Sequence, residues 1–168
     1  MRDPLTRLFN RRHVERELPL LLRDGGVAVA MIDVDRFKRI NDDYSHETGD
    51  KILVQLAALL QQHASAMAPD GFCARLGGEE FLLAAPVAAP QQAAASLEQL
   101  RERVEAHRWS AVPPSLQPTI SAGLVIAQDP GLEAGAVLAR ADHLLYLAKR
   151  SGRNRLETAV LGDEPAAV

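Results

Sequence analysis

The stretch Val27–Val34, Val-Ala-Val-Ala-Met-Ile-Asp-Val, is apolar at every position but one. A strand with one wet face would alternate apolar and polar residues; this one does not. It therefore predicts a strand covered on both faces, inside a sheet packed between helices. The flanking sequence supplies those helices. Residues 11–23 read as an amphipathic helix, with Val14, Leu18, Leu21 and Leu22 at helical spacing and Gly25-Gly26 beyond its end. Pro19 inside it predicts a kink or a division into two pieces. Residues 35–49 read as polar and turn-rich, and 50–66 as a helix begun by Gly49-Asp50. Residues 72–76 and 79–84 flank Gly77-Gly78 as the two strands of a hairpin. A helix over 91–107, a strand over 119–126 and a helix over 135–150 complete the order, with a frayed tail at 161–168. This is the order of an α+β fold of the split βαβ, ferredoxin-like kind: a mainly antiparallel sheet flanked by helices, forming one domain over residues 1–160. In such a sheet the first strand lies beside the hairpin, which brings Asp33 next to the Gly77-Gly78 turn.

Composition narrows the function classes. The 168 residues carry 47% hydrophobic side chains, enough for one well-packed domain and too many for a disordered chain. A net charge of −3 argues against a basic face for polymeric nucleic acid, while a single nucleotide held by a few local charges stays allowed. The single cysteine, Cys73, excludes an internal disulfide framework and a Cys-rich zinc site. No apolar run approaches the roughly 20 residues that cross a bilayer, and the first residues lack a signal-peptide core. A cytoplasmic protein with no direct membrane insertion is expected. Trp109, Phe72, Met31 and the leucine stripes read as core or core edge, and Cys73 as buried and inert.

Two anomalies carry chemistry. Asp33 closes an apolar strand, where an unpaired carboxylate costs several kcal/mol. With Asp35 two residues on, both carboxylates share a face if the strand continues. From the strand pattern alone Asp33 serves equally well as a strand terminator or as a metal ligand. The second anomaly is Gly77-Gly78-Glu79-Glu80-Phe81. Two glycines allow a tight turn and a close approach of phosphate to bare backbone. Taken alone, such a turn is usually an ordinary hairpin tip. Beside Asp33, its two acids become a set of hard oxygen ligands suited to Mg²⁺ and to two-metal phosphoryl transfer.

The chain resembles the GGDEF domain family, the catalytic domain of diguanylate cyclases. The blocks DPLTRLFNRR (3–12), DVDRFKRIND (33–42), HETGD (46–50), RLGGEEF (75–81), TISAGL (119–124) and ADHLLYLAKRSGRNR (141–155) follow in that family's order, with GGEEF as a variant of its signature. The resemblance implies a palm-type nucleotidyl cyclase fold. It also implies that two GTP molecules are joined into cyclic di-GMP, with release of two pyrophosphates, between two copies of the chain. By similarity, Asp33, the Val34 carbonyl, Glu79 and Glu80 hold two Mg²⁺ ions per site, with Mn²⁺ as a substitute. Glu79 takes the proton of the 3′-hydroxyl, supported by Glu80, and Lys38 offsets charge at the phosphates. Lys149 and Arg153, one helical turn apart, hold the triphosphate tail; without the resemblance they read as a solvated basic helix end. Phe37, Asn41, His46 and Asp50 surround guanine, with Gly77 and Gly78 against the phosphates. Asp50 accepts from guanine N1–H and N2, donors that adenine lacks on that edge. An Asx turn at Asn41 and a helix cap at Asp50 are the local readings of the same residues, and His46 reads equally as a turn residue.

Departures from the family pattern make their own expectations. The family's Arg-x-x-Asp product-inhibition positions hold Ala68, Pro69, Asp70 and Gly71, so feedback through that site is expected to be lost or weak. Arg7 stands where the family has a turn glycine, and Ser45 where it has glycine at the rim of the guanine pocket. No receiver, sensor or coiled-coil pattern precedes the first motif, so pairing of two copies is expected to rely on concentration. The alternatives are a catalytically silent GTP or cyclic di-GMP binding domain signalling by protein contact, and a palm-type cyclase acting on ATP or mixed nucleotides.

Overall fold

The computed structural model describes residues 1–162 of the chain. The elements in order are α1 (Arg11–Leu22), β1 (Val27–Val34), α2 (Phe37–Asp43), α3 (His46–Met67), β2 (Phe72–Gly77), β3 (Glu80–Pro86), α4 (Pro90–Glu105), β4 (Ile120–Ala127), α5 (Ala134–Arg150) and β5 (Leu156–Leu161). The strands form one five-stranded sheet in the order β2-β3-β1-β4-β5. β1 is central, antiparallel to both β3 and β4, while β5 runs parallel to β4.

Every residue of β1 and of β4 is buried, as an unalternating apolar strand requires. Side chains of one parity on β1, Ala28, Ala30, Ile32 and Val34, join a core with α2, α3 and α4. Those of the other parity, Val27, Val29 and Met31, join a second core with α1 and α5. Gly123 lets α5 settle directly on β4: a Cβ there would stand 2.1 Å from Ala141 O and 2.4 Å from Leu145 N. Only a bare Cα permits that approach.

Four expectations change. The segment 35–49 contains α2, and α3 begins at His46 rather than at Gly49-Asp50, because Ser45 supplies the cap. Pro19 lies within α1, which runs as a single helix over Arg11–Leu22. β5 is an additional strand, six residues long and partly exposed on the sheet edge; its apolar residues neither alternate strictly nor form a long run, so the pattern does not announce it. The tail expected from 161 on begins inside it, since Leu161 closes β5 and Gly162 follows; residues 163–168 lie outside the described residues. Among the described residues no helix is long and apolar enough to cross a membrane.

Candidate active site

The end of β1 assembles the acidic cluster. The antiparallel register sets Asp33 opposite Glu80 of β3 and Ser121 of β4. The Val34 N–H donates to the Glu79 carbonyl at 3.4 Å, tying the hairpin tip to the strand end. In the tip Gly77 has φ +150° and Gly78 φ +50°, which L side chains rarely adopt, and a Cβ on either would meet nothing within 4 Å. The glycines are thus required by backbone conformation, and the space over the turn is open. Asp35 N donates to Thr119 O at 2.9 Å, so the Val34 carbonyl, on the opposite edge of that trans peptide, faces the hairpin side.

Asp33 is buried, its side chain 3% exposed. One carboxylate oxygen, Oδ2, accepts from Lys149 Nζ of α5; the other, Oδ1, is buried with no partner among the described residues. Burial pushes its pKa up to about 6, with Glu80 and Glu79 adding to the rise and the Lys149 ammonium pulling against it. Glu79 and Glu80 are half-buried beside it.

A second group lies between α2 and α3. Ser45 Oγ accepts from Thr48 N at 3.0 Å and starts α3. Gly49, buried on α3, faces α2 so closely that a Cβ would stand 2.0 Å from Asn41 Oδ1 and 3.0 Å from Phe37 Cζ. Asn41 Oδ1 is buried without a partner. Phe37 is buried, while Lys38, His46 and Asp50 are exposed along the same pair of helices. The Asx turn expected at Asn41 and the cap expected at Asp50 do not occur: Asn41 sits inside α2, and Asp50 follows Gly49 within α3.

Lys149 and Arg153 are not one helical turn apart on a common helix. α5 ends at Arg150, Gly152 follows, and Arg153 and Asn154 take φ +65° and +48° in the turn toward β5. Lys149 turns to Asp33, whereas Arg153 lines a cavity of about 510 Å³ with Arg36, Arg39, Tyr44, Thr119 and Asn154. The cavity lies between α2 and the start of β4.

Three residue groups inside the motif blocks have roles that the sequence reading does not give them. Arg75 donates from Nε to Gly78 O at 2.9 Å and from Nη1 to both Asp3 carboxylate oxygens at 3.2 Å, bracing the hairpin tip. Asp3 in turn accepts from Thr6 N and Thr6 Oγ1, each at 2.8 Å, and Arg7 in the same turn takes φ +66°. Burial alone would raise the Asp3 pKa, but these hydrogen bonds and the Arg75 charge hold it below the usual value. Asp35 with Thr119, Ser121 and Asn154 forms the second group, and the contact glycines Gly49 and Gly123 the third.

The sequence model of the family described as Diguanylate cyclase, GGDEF domain, matches residues 1–155. The chain belongs to the GGDEF domain family. It is 42% identical over 163 residues to the diguanylate cyclase DgcP of Pseudomonas aeruginosa, covering 94% of this chain and 24% of that protein. The response regulator PleD of Caulobacter vibrioides is 37% identical over 159 residues, 90% of this chain and 34% of that protein. Among solved structures, the GGDEF domain of DgcB from Caulobacter crescentus in complex with c-di-GMP superposes with a TM-score of 0.82 at 35% identity, covering 94% of this chain and 92% of that one. The active GGEEF domain of a diguanylate cyclase from Vibrio cholerae gives 0.79 at 31%, covering 92% and 99%. The fold is therefore the palm-like nucleotidyl cyclase fold of GGDEF domains. The chain spans only about a quarter of DgcP and a third of PleD.

The donor set is chemically suited to a divalent cation. Asp33 keeps one buried carboxylate oxygen unused, Glu80 stands across from it in register, and Glu79 follows the glycine turn. In the arrangement described, no three His, Cys, Asp or Glu side chains among the described residues close on one point, and Asp33 pairs with Lys149.

Proposed function

We propose that this domain is a diguanylate cyclase that condenses two GTP molecules into cyclic di-GMP. The observation that carries the reading is the register Asp33↔Glu80, which sets a buried, half-unpartnered carboxylate beside an open Gly-Gly turn and two acids. Diguanylate cyclases of this family generally use divalent metal ions. Asp33, the Val34 carbonyl, Glu79 and Glu80 would hold Mg²⁺ or Mn²⁺, which when bound acidifies the attacking hydroxyl and neutralises the leaving phosphates.

The chain's own residues do the rest. Glu79 accepts the proton of one nucleotide's 3′-hydroxyl, whose oxygen forms a bond to the α-phosphorus of the other. The bond from that phosphorus to the β-phosphate bridge breaks, and pyrophosphate leaves. Two such transfers close the ring and release two pyrophosphates, so two domains, each with one GTP, must face each other. Asn41 and Asp50 read guanine, with Phe37 and His46 around the base. The unpartnered Asn41 Oδ1 is an acceptor suited to a base N–H. Lys38 and Arg153 hold the phosphates over the Gly77-Gly78 turn, joined by Lys149 once it leaves Asp33. With Arg-x-x-Asp replaced by Ala68 to Gly71, inhibition by cyclic di-GMP is weak.

The test is incubation with GTP and Mg²⁺ at high protein concentration, with the product identified by mass. Cyclic di-GMP and pyrophosphate are expected, and Glu79→Ala should lower the rate by at least about 10²-fold while leaving the melting curve near that of the wild type. Absence of product even when the domain is fused to a strong dimeriser would sink the reading.

A further inference from the structure

Asp35 is 6% exposed and shares a dipeptide spacing with Asp33, yet it faces a different set of groups. Its Oδ1 accepts from Ser121 Oγ at 2.6 Å. Its Oδ2 accepts from Thr119 Oγ1 at 2.7 Å and from the backbone N–H of Asn154 at 2.9 Å. Ser121 Oγ accepts from that same N–H at 3.1 Å. Three donors already compensate the carboxylate's charge, and none of them belongs to the acidic cluster.

The Asn154 N–H is the informative partner. Arg153 and Asn154 are consecutive non-glycine residues at positive φ, a conformation the chain does not hold without outside support. The two backbone N–H groups of the turn are both pinned: Arg153 N donates to Ala148 O of α5 at 3.0 Å, and Asn154 N donates to Asp35 and Ser121. The Asn154 side chain is tied to α4: Arg101 Nη1 donates to Asn154 Oδ1 at 2.8 Å, and Asn154 Nδ2 donates to Glu105. Asp35 is the anchor that joins the turn to the end of β1, two residues from Asp33. No other hydrogen bond of the turn reaches that strand end among the described residues.

We propose that Asp35 is a positioning residue for Arg153: it fixes the backbone of the Arg153–Asn154 turn, so that the guanidinium meets the phosphates of a nucleoside triphosphate bound at the β1 end. It acts through Arg153 and neither touches the substrate nor ligates a metal. The inference rests on the reading that Arg153 holds the triphosphate. A buried carboxylate that only glued the core together would not single out the phosphate end of a nucleotide; one that set a phosphate-binding arginine would.

The experiment measures binding of 3′-deoxy-GTP, which cannot react, and of 3′-deoxy-GMP, both with Mg²⁺, to the whole chain and its variants. Asp35→Asn places an amide donor where one of three donors needs an acceptor, and Ser121→Ala removes a second support of the same N–H. Each is expected to raise the Kd for the triphosphate about 3- to 10-fold and to change that for the monophosphate less than about twofold. Arg153→Ala should weaken triphosphate binding by itself, and adding Asp35→Asn to it should change the Kd by less than about twofold. If Arg153→Ala weakens binding and Asp35→Asn multiplies that loss, or if both ligands are weakened alike, the positioning role is overturned while the phosphate role of Arg153 stands. If Arg153→Ala leaves triphosphate binding intact, the underlying reading falls and takes this one with it. A rise in the Mg²⁺ midpoint of Asp35→Asn with no loss of triphosphate affinity at saturating Mg²⁺ would make Asp35 a metal ligand instead. Should Asp35→Asn fail to fold, Ser121→Ala carries the same comparison.

Discussion

Asp33 is held in its charged form against its surroundings. A raised carboxyl pKa means that, between 3.8 and about 6, the native chain keeps a proton that the unfolded chain has released. Stability attributable to Asp33 therefore falls as pH rises through that window and stays reduced above it. The full cost is at most about 3 kcal/mol, a net figure in which the Lys149 ion pair already offsets some of the burial penalty. Asp33→Asn is expected to be more stable than the wild type by about 1–2 kcal/mol at pH 8, or roughly 2–6 °C in Tm, with the gap closing toward pH 4. Thermal melts across that pH range decide it; an Asn variant that melts lower at pH 8 would contradict the account. A residue that costs stability by its charge and keeps an unused carboxylate oxygen has the signature of a functional group.

Among the elements, α2 and α3 meet at Gly49 and the β2–β3 hairpin leans on Arg75. Gly49→Ala gains helix propensity, worth up to about 1 kcal/mol, yet its Cβ displaces Asn41 and crowds Phe37. The expected outcome is a fold whose Tm moves by only a few degrees, with GTP affinity down about tenfold and discrimination against ATP relaxed. Competition binding with GTP and ATP measures both, and unchanged base choice would remove Asn41 from the guanine site. Arg75→Met cuts the link from the N-terminal Asp3 turn to the Gly78 carbonyl. Because the Asp3 pKa lies below 3.8 in the folded chain, its contribution is present above the carboxylate range and is lost on acidification. Arg75→Met should cost about 1–2 kcal/mol at pH 7 and show a smaller loss of stability than the wild type between pH 5 and pH 3. Denaturant titrations at several pH values test it, and parallel pH curves for the two proteins would rule the link out.

At the scale of the whole molecule, the described residues present one acidic cluster at the end of β1, and on the proposed reading they hold one GTP between α2, α3 and the Gly77-Gly78 turn. A reaction that joins two GTP molecules therefore needs two copies facing each other. The rate per protomer is expected to rise with protein concentration and to level off once pairs dominate, which initial rates over a hundredfold dilution range would show. A rate per protomer independent of concentration would mean that pairing does not limit the reaction.

The sequence by itself determined that β1 is central and doubly covered, because an eight-residue run with a single polar side chain leaves no face for water. It also determined the family, because six ordered blocks carry it, and the nearness of Asp33 to the glycine turn, because a split βαβ order leaves the first strand little choice of neighbour. What only the tertiary structure decided depends on contacts between segments far apart in the chain. The start of α3 at His46 depends on the Ser45 cap, a local signal overshadowed by Gly49-Asp50. Gly49 proved to be a contact glycine because α2 exists to press against it. Arg153 left the helix of Lys149 because Gly152 ends α5 and because Asp35, more than a hundred positions away, holds the following N–H. Spacing along the chain sets which face a side chain starts from; which partner compensates its buried charge is settled only when the sheet closes.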